Sequence, residues 1–259
     1  MRPDKGVGES VVFDIVSWMD RTLYPQYTNN WDDHIFRNEI MKVLKAEYHI
    51  LDLGAGAGRV VQMNFHGLAA RVCGIDPDPR VGVNPYLDEG KVAFGEDIPY
   101  ADTNFDLVFA DNVLEHLQNP VFVFQEVARI LKPGGLFLVK TPNKMHYMPL
   151  VARLTPHKFH TFVNRLRGRA SSDTFPTVYK VNAPREINYY AAGAGLCVRQ
   201  ILFFEGRPEY LRFTALSYVL GWLYERCVNV VPGLHRYRVL LIAILEKPLL
   251  PSPHAKALS

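Results

Sequence analysis

The chain has 259 residues, 48% of them hydrophobic and 21% charged, with a formal net charge of +3. That length can bury one full core, and the composition is that of an ordinary globular protein, which excludes a disordered, collagenous or disulfide-stapled chain. Three widely separated cysteines, Cys73, Cys197 and Cys227, have neither disulfide nor zinc spacing, so a cytoplasmic protein without a metal site is expected.

In chain order, the first segment, 1–47, is expected to be helical, with a helix from His34 to Glu47 and a cluster of Tyr24, Tyr27, Trp31 and Phe36 that serves either as a lid or as a hydrophobic staple. The main domain, 48–247, opens with a strand at His49 to Leu53, a glycine-rich turn and a helix from about Arg59 to Leu68. Strands follow at Arg71 to Asp76, Lys91 to Phe94 and Phe105 to Ala110. Pro120 opens a helix to Leu131, which stops before Pro133-Gly134-Gly135, and the next strand is Leu136 to Lys140. An insertion of irregular pattern occupies about 142–183, ahead of a helix from Pro184 to Ala194 and a strand from Leu196 to Phe204. An extra helix at about 209–230 contains the longest uncharged apolar run, Phe213 to Tyr224, which is too short to cross a bilayer. A last strand, Arg238 to Glu246, leads to a frayed tail at 248–259. Strands alternating with helices imply an α/β fold around a seven-stranded, mostly parallel, doubly wound sheet with helices on both faces.

Chemistry concentrates at the first turn. Ile50-Leu51-Asp52-Leu53-Gly54-Ala55-Gly56-Ala57-Gly58-Arg59 joins a buried strand to alternate glycines, which let the backbone approach a ligand that a Cβ would block. Asp76, at the tip of the next strand, is placed to accept hydrogen bonds from ribose hydroxyls. The third glycine of a dinucleotide fingerprint is missing, since Arg59 stands in its place.

Motif I of the class I S-adenosylmethionine-dependent methyltransferases is what this turn resembles. Three further landmarks fall in that family's order: Gly95-Glu96-Asp97-Ile98-Pro99-Tyr100, the strand and loop from Phe105 to Leu117, and the corner Leu131-Lys132-Pro133-Gly134-Gly135. The resemblance implies a Rossmann-like fold, with Gly54, Gly56 and Gly58 shaping the loop around the methionine moiety and Asp76 on the ribose. It also implies that Asp97 with Ile98 meets the adenine, and that Asp52 and Asp111 belong to the cofactor site. His116, after the fourth strand, is the candidate general base, with His146, His157 and His160 as alternatives. His157 and His160 have metal-ligand spacing but no acid nearby to complete a site.

For the acceptor, a small molecule is expected, an oxygen of a saccharide, lipid or quinone-like compound. No Asp or Glu occurs from Val127 to Ser172, where nine Lys and Arg stand, so an anionic or lipid-linked acceptor and peripheral membrane contact both fit. Nucleic acid fits less well. Asp111-Asn112-Val113-Leu114 lacks the proline pair of nucleobase amine methyltransferases, and Asn84-Pro85-Tyr86 is misplaced for it. Two other readings stay open, a catalytically silent cofactor-binding scaffold and an NAD-dependent oxidoreductase. Oligomeric state is not legible.

Overall fold

Alternation of side chains along the strands divides the core into two layers, and that division decides where the site falls. In the computed structural model, which describes residues 7–27, 30–148 and 177–249, the strands are β1 (His49–Leu53), β2 (Arg71–Asp76), β3 (Glu89–Val92), β4 (Phe105–Asp111), β5 (Leu131–Pro142), β6 (Cys197–Phe204) and β7 (Leu240–Glu246). They form one sheet of order β3-β2-β1-β4-β5-β7-β6. Only β7 runs against its neighbours. The order reverses direction between β1 and β4, where ligands of such sheets bind.

Helices α1 (Val7–Leu23), α2 (Trp31–Met41), α3 (Pro120–Ile130), α4 (Pro184–Gly193) and α5 (Ala215–Val230) surround the sheet. On one face Leu51, Leu53, Val108, Ala110, Phe137 and Val139 pack against Val123, Phe124 and Val127 of α3 and Ile187 and Ala191 of α4. Burial of each such large side chain stabilises by roughly 1.5–3 kcal/mol. On the other face Ile50, Leu107, Phe109, Leu136 and Leu138 meet Phe36 and Ile40 of α2 together with Met63 and Phe65. Strand residues of even and odd number thus serve different layers.

One expected helix is absent. Between Arg59 and Leu68 the chain makes only a short 3₁₀ turn, Val61–Met63. Asn64 and Gly67 are poor helix residues, and the Arg37 guanidinium on α2 donates to the carbonyls of Gln62 and Asn64 at 2.6 and 2.7 Å. Those carbonyls are consumed by tertiary contacts instead of a helical ladder. Two elements begin elsewhere than their patterns suggested: α1 precedes the first expected helix, and α5 starts at Ala215, later than the expected start at about 209. The aromatic cluster is packed inward. Phe36 is fully buried, Tyr24 donates to Glu225 of α5 at 2.7 Å, and Trp31 lies against Gly206 and donates to Glu209 at 3.2 Å. No helix among the described residues is long and apolar enough to cross a membrane.

Candidate active site

The turn after β1 is possible only because its residues can adopt left-handed backbone. Gly54 and Gly58 have φ of +86° and +70°, and a Cβ would collide with Val113 Cγ2 at 2.4 Å and Asn84 Oδ1 at 2.4 Å respectively. Gly56 differs. Its φ is +50°, and a Cβ there would meet nothing nearer than Asp76 Oδ2 at 3.9 Å. Its missing side chain leaves the space open toward a cavity of about 550 Å³, which the loop 54–60 lines together with Asp76, Asp78, Asn84, Tyr86, Asp111 and Asn112. That volume is in the roughly 300–1,000 Å³ range of cofactor sites.

Asp76 holds the loop by accepting from the amides of Gly56 at 2.9 Å and Asp78 at 2.8 Å. Asn84 holds it from the other side, donating to the carbonyls of Ala55 at 3.0 Å and Gly56 at 3.3 Å. The Asn84-Pro85-Tyr86 sequence is therefore a buttress of the glycine turn. Its role was invisible in the sequence because Asn84 acts on backbone twenty-nine residues away.

Asp52, Asp111 and Lys140 share the α2 face of the sheet at the carboxyl ends of β1, β4 and β5, by the same alternation that buries Ile50, Phe109 and Leu138 there. Lys140 is fully buried. Its ammonium contacts Asp111 at 2.7 Å, Asp32 at 3.0 Å and Asp33, the last two from the first turn of α2. Burial pulls its pKa down, but Asp111, Asp32 and Asp33 more than reverse this and hold it charged above the usual lysine value. Three acids thus answer one cation, and two of them come from the N-terminal segment. Sequence reasoning missed Asp32, Asp33 and Lys140, although a lysine inside an apolar strand was a signal.

Two carboxyl groups on this wall have unmet demand. Asp52 is 7% exposed, and every influence on its carboxyl, burial first and then Asp111 and Asp76, raises its pKa well above the ordinary value. Asp111 Oδ2 is buried without a hydrogen bond; burial raises that carboxyl to about 7 despite Lys140. An acidic cavity of this kind is relieved by a cation.

The other expected residues are arranged differently. Asp97 is exposed and Ile98 lies in the apolar core, its amide donating to Glu126 at 2.9 Å; neither lines the cavity. His116 is half-buried in the 3₁₀ turn Leu114–His116 and is not among the cavity residues. Its neighbour Glu115 is buried and accepts from Thr141 Oγ1 at 3.0 Å. His146 is buried beside Tyr147 and Tyr224, its Nε2 3.7 Å from Glu205, and burial drops its pKa to about 3.

The basic stretch is not one surface patch. Arg129 pairs with Glu126 and Asp102, Lys132 with Asp106, and Lys144 with Glu186, while Lys140 is the buried cation above. Arg153, Lys158, Arg165, Arg167 and Arg169, with His157 and His160, lie outside the described residues.

Residues 51–139 match the model of a methyltransferase domain. An uncharacterized methyltransferase of Mycobacterium sp. (strain JLS) is 33% identical over 200 residues, covering 73% of this chain and 72% of that protein. The chain belongs to the class I S-adenosylmethionine-dependent methyltransferase family. Another uncharacterized methyltransferase of this kind, from Mycobacterium leprae (strain Br4923), is 32% identical over 161 residues, and that match spans 58% of this chain and only 59% of the relative. In fold the chain is similar to a methyltransferase of Haloferax volcanii solved with the Trm112 methyltransferase activator, with a TM-score of 0.56 at 19% identity over 92% of this chain and 96% of that one.

The cofactor of class I methyltransferases fits the residues present. Its ammonium and sulfonium groups are cations that suit a wall where Asp52 is buried among acids and Asp111 shares Lys140 with Asp32 and Asp33, and the open side of Gly56 admits it.

Proposed function

We propose that this protein transfers the methyl group of S-adenosylmethionine to an oxygen of a small molecule of the saccharide, lipid or quinone-like class. The observation that carries the reading is the acidic cavity over the glycine turn, lined by Asp52, Asp76 and Asp111 among other carboxylates, where Asp111 Oδ2 is buried without a hydrogen bond. When bound, the cofactor supplies an activated methyl group on a sulfonium. In this reading Gly54, Gly56 and Gly58 shape the loop, Asp76 takes the ribose hydroxyls, and Asp52 and Asp111 face the amino acid end. Asp97 and Ile98 stand outside the cavity lining, and the adenine meets them only by extending past it. His116 receives the proton of the acceptor hydroxyl.

The enzyme's main contribution is then alignment, which can lower a barrier by roughly 7–11 kcal/mol. A dinucleotide is opposed on physical grounds. Pyrophosphate is bound by the N-terminus of a helix following the glycine loop, and here that helix is replaced by the turn Val61–Met63, while the wall is lined by carboxylates.

Thermal shift with S-adenosylhomocysteine and with NAD tests the reading. Ligand at a hundred times its dissociation constant stabilises by about 2.7 kcal/mol. S-adenosylhomocysteine should raise the melting temperature of the wild type, and Asp52→Asn should weaken the effect while melting normally without ligand. A shift with NAD alone would overturn the reading. Once an acceptor is found with labelled methyl donor, His116→Ala should lower turnover by about 10²–10⁴-fold with homocysteine affinity unchanged; a loss of affinity would reassign His116 to loop geometry.

A further inference from the structure

Helix α5 is turned inside out. Toward the protein it presents Tyr218, Gly221, Glu225 and Val228, and its polar groups are used there: Tyr218 donates to Asp20 at 2.8 Å, and Glu225 accepts from Tyr24. Outward it presents Leu216 (73% exposed), Val219, Leu220 (56%), Leu223 and Val230 (75%). These recur at intervals of three, four and seven, so they form one stripe along the helix. An ordinary surface helix has the reverse arrangement. The aromatic side chains of this helix, Tyr218, Trp222 and Tyr224, are thus not the exposed set; aliphatic side chains are.

Charge and position point to what covers the stripe. From Ala215 to Tyr237 the only carboxylate is Glu225, which is buried, whereas Arg226, His235 and Arg236 are exposed. Arg226 is paired with Glu225 at 3.3 Å, which leaves the surface with a cationic excess at Arg236. The helix also has a fixed place relative to the cavity. Phe204 at the end of β6 pairs with Leu240 at the start of β7, so the whole excursion between them stands at the carboxyl edge of the sheet, the edge that carries Asp52, Asp76 and Asp111. Neighbouring α1, packed on α5 through Val16 and Tyr24, exposes Trp18 (60%) as well.

We infer that the outward stripe of α5 docks on an anionic lipid bilayer, lying in the interface with its leucines and valines among the acyl chains and its basic flank among the headgroups. Contiguous exposed apolar surface marks an interaction site, and an apolar helical face with cationic flanks and no carboxylate suits negatively charged lipid. Because α5 and the cavity share one edge, docking brings the cavity to the membrane. The inference deepens the methyl-transfer reading and rests on it only for its consequence, that the acceptor is carried by a lipid.

The test is flotation of the full-length protein with vesicles of phosphatidylcholine alone and with about a third phosphatidylglycerol, at low and high salt. Wild type should float with the anionic vesicles, less at high salt. Leu220→Glu with Leu223→Glu should reduce the bound fraction by about tenfold or more, since it places two charges in the apolar layer. Both proteins should bind S-adenosylhomocysteine equally and melt alike, which separates failure of docking from failure of the cofactor reading. A wild type that stays with the soluble fraction, or a double variant that floats as well as wild type, would overturn the inference. So would a wild-type dimer in solution that the double variant converts to monomer, because the stripe would then be a contact between copies.

Discussion

Near the carboxyl edge the two faces of the sheet differ: against α3 and α4 the strands β1, β4 and β5 carry Leu53, Ala110 and Val139, whereas toward α2 they carry Asp52, Asp111 and Lys140. A single residue along each strand separates an apolar core from a cluster of charges. The difference teaches that the site is produced by the pleat itself. Any slip of register by one residue would drive the charges into the apolar layer, so the hydrophobic face enforces the geometry of the polar one.

Breaking the apolar side should have the largest effect. Phe137, fully buried against Phe124, should cost about 3–5 kcal/mol when changed to Ala, read by chemical denaturation. On the charged side, Lys140→Met should cost about 3 kcal/mol, because it leaves Asp111, Asp33 and Asp32 without their cation. If Lys140→Met proved neutral, the cluster would not bind α2 to the sheet.

Protons sharpen the contrast further. Asp111 and Asp52 titrate above their ordinary values in the ligand-free fold, so that fold holds protons more tightly than the unfolded chain does. Asp111 therefore contributes stability that is present in acid and is lost as pH rises through about 7, and Asp52 acts in the same direction. Affinity for a cationic ligand runs the other way, since the ligand must displace those protons. S-adenosylmethionine should bind about tenfold more weakly at pH 6 than at pH 8, by titration calorimetry, and Asp111→Asn should flatten the profile. Equal affinity at both pH values would show that the carboxylates do not meet the cofactor's charge.

Much of the sheet was legible in the sequence, because short apolar runs such as Phe105 to Ala110 and Arg238 to Glu246, bounded by turn residues, fit buried strands, and they fall within or beside the strands Phe105–Asp111 and Leu240–Glu246. The glycine turn and Asp76 were legible for the same local reason. What escaped depends on partners distant in sequence. The helix expected after Arg59 is dissolved by Arg37, the turn is braced by Asn84, and the charge cluster joins α2 to β5. Helix α5 was recognisable as apolar, but only its hydrogen bonds to α1 reveal which way it faces.

The ion cluster also has a consequence for the order of assembly. Asp33 and Lys140 are 107 residues apart, so the wall they build is a long-range contact that cannot be complete before β5 is available. During synthesis α2 emerges first and waits for a partner about a hundred residues behind it. The pocket is thus withheld until most of the sheet exists, and a nascent chain that has not yet released β5 has no finished place for the cofactor.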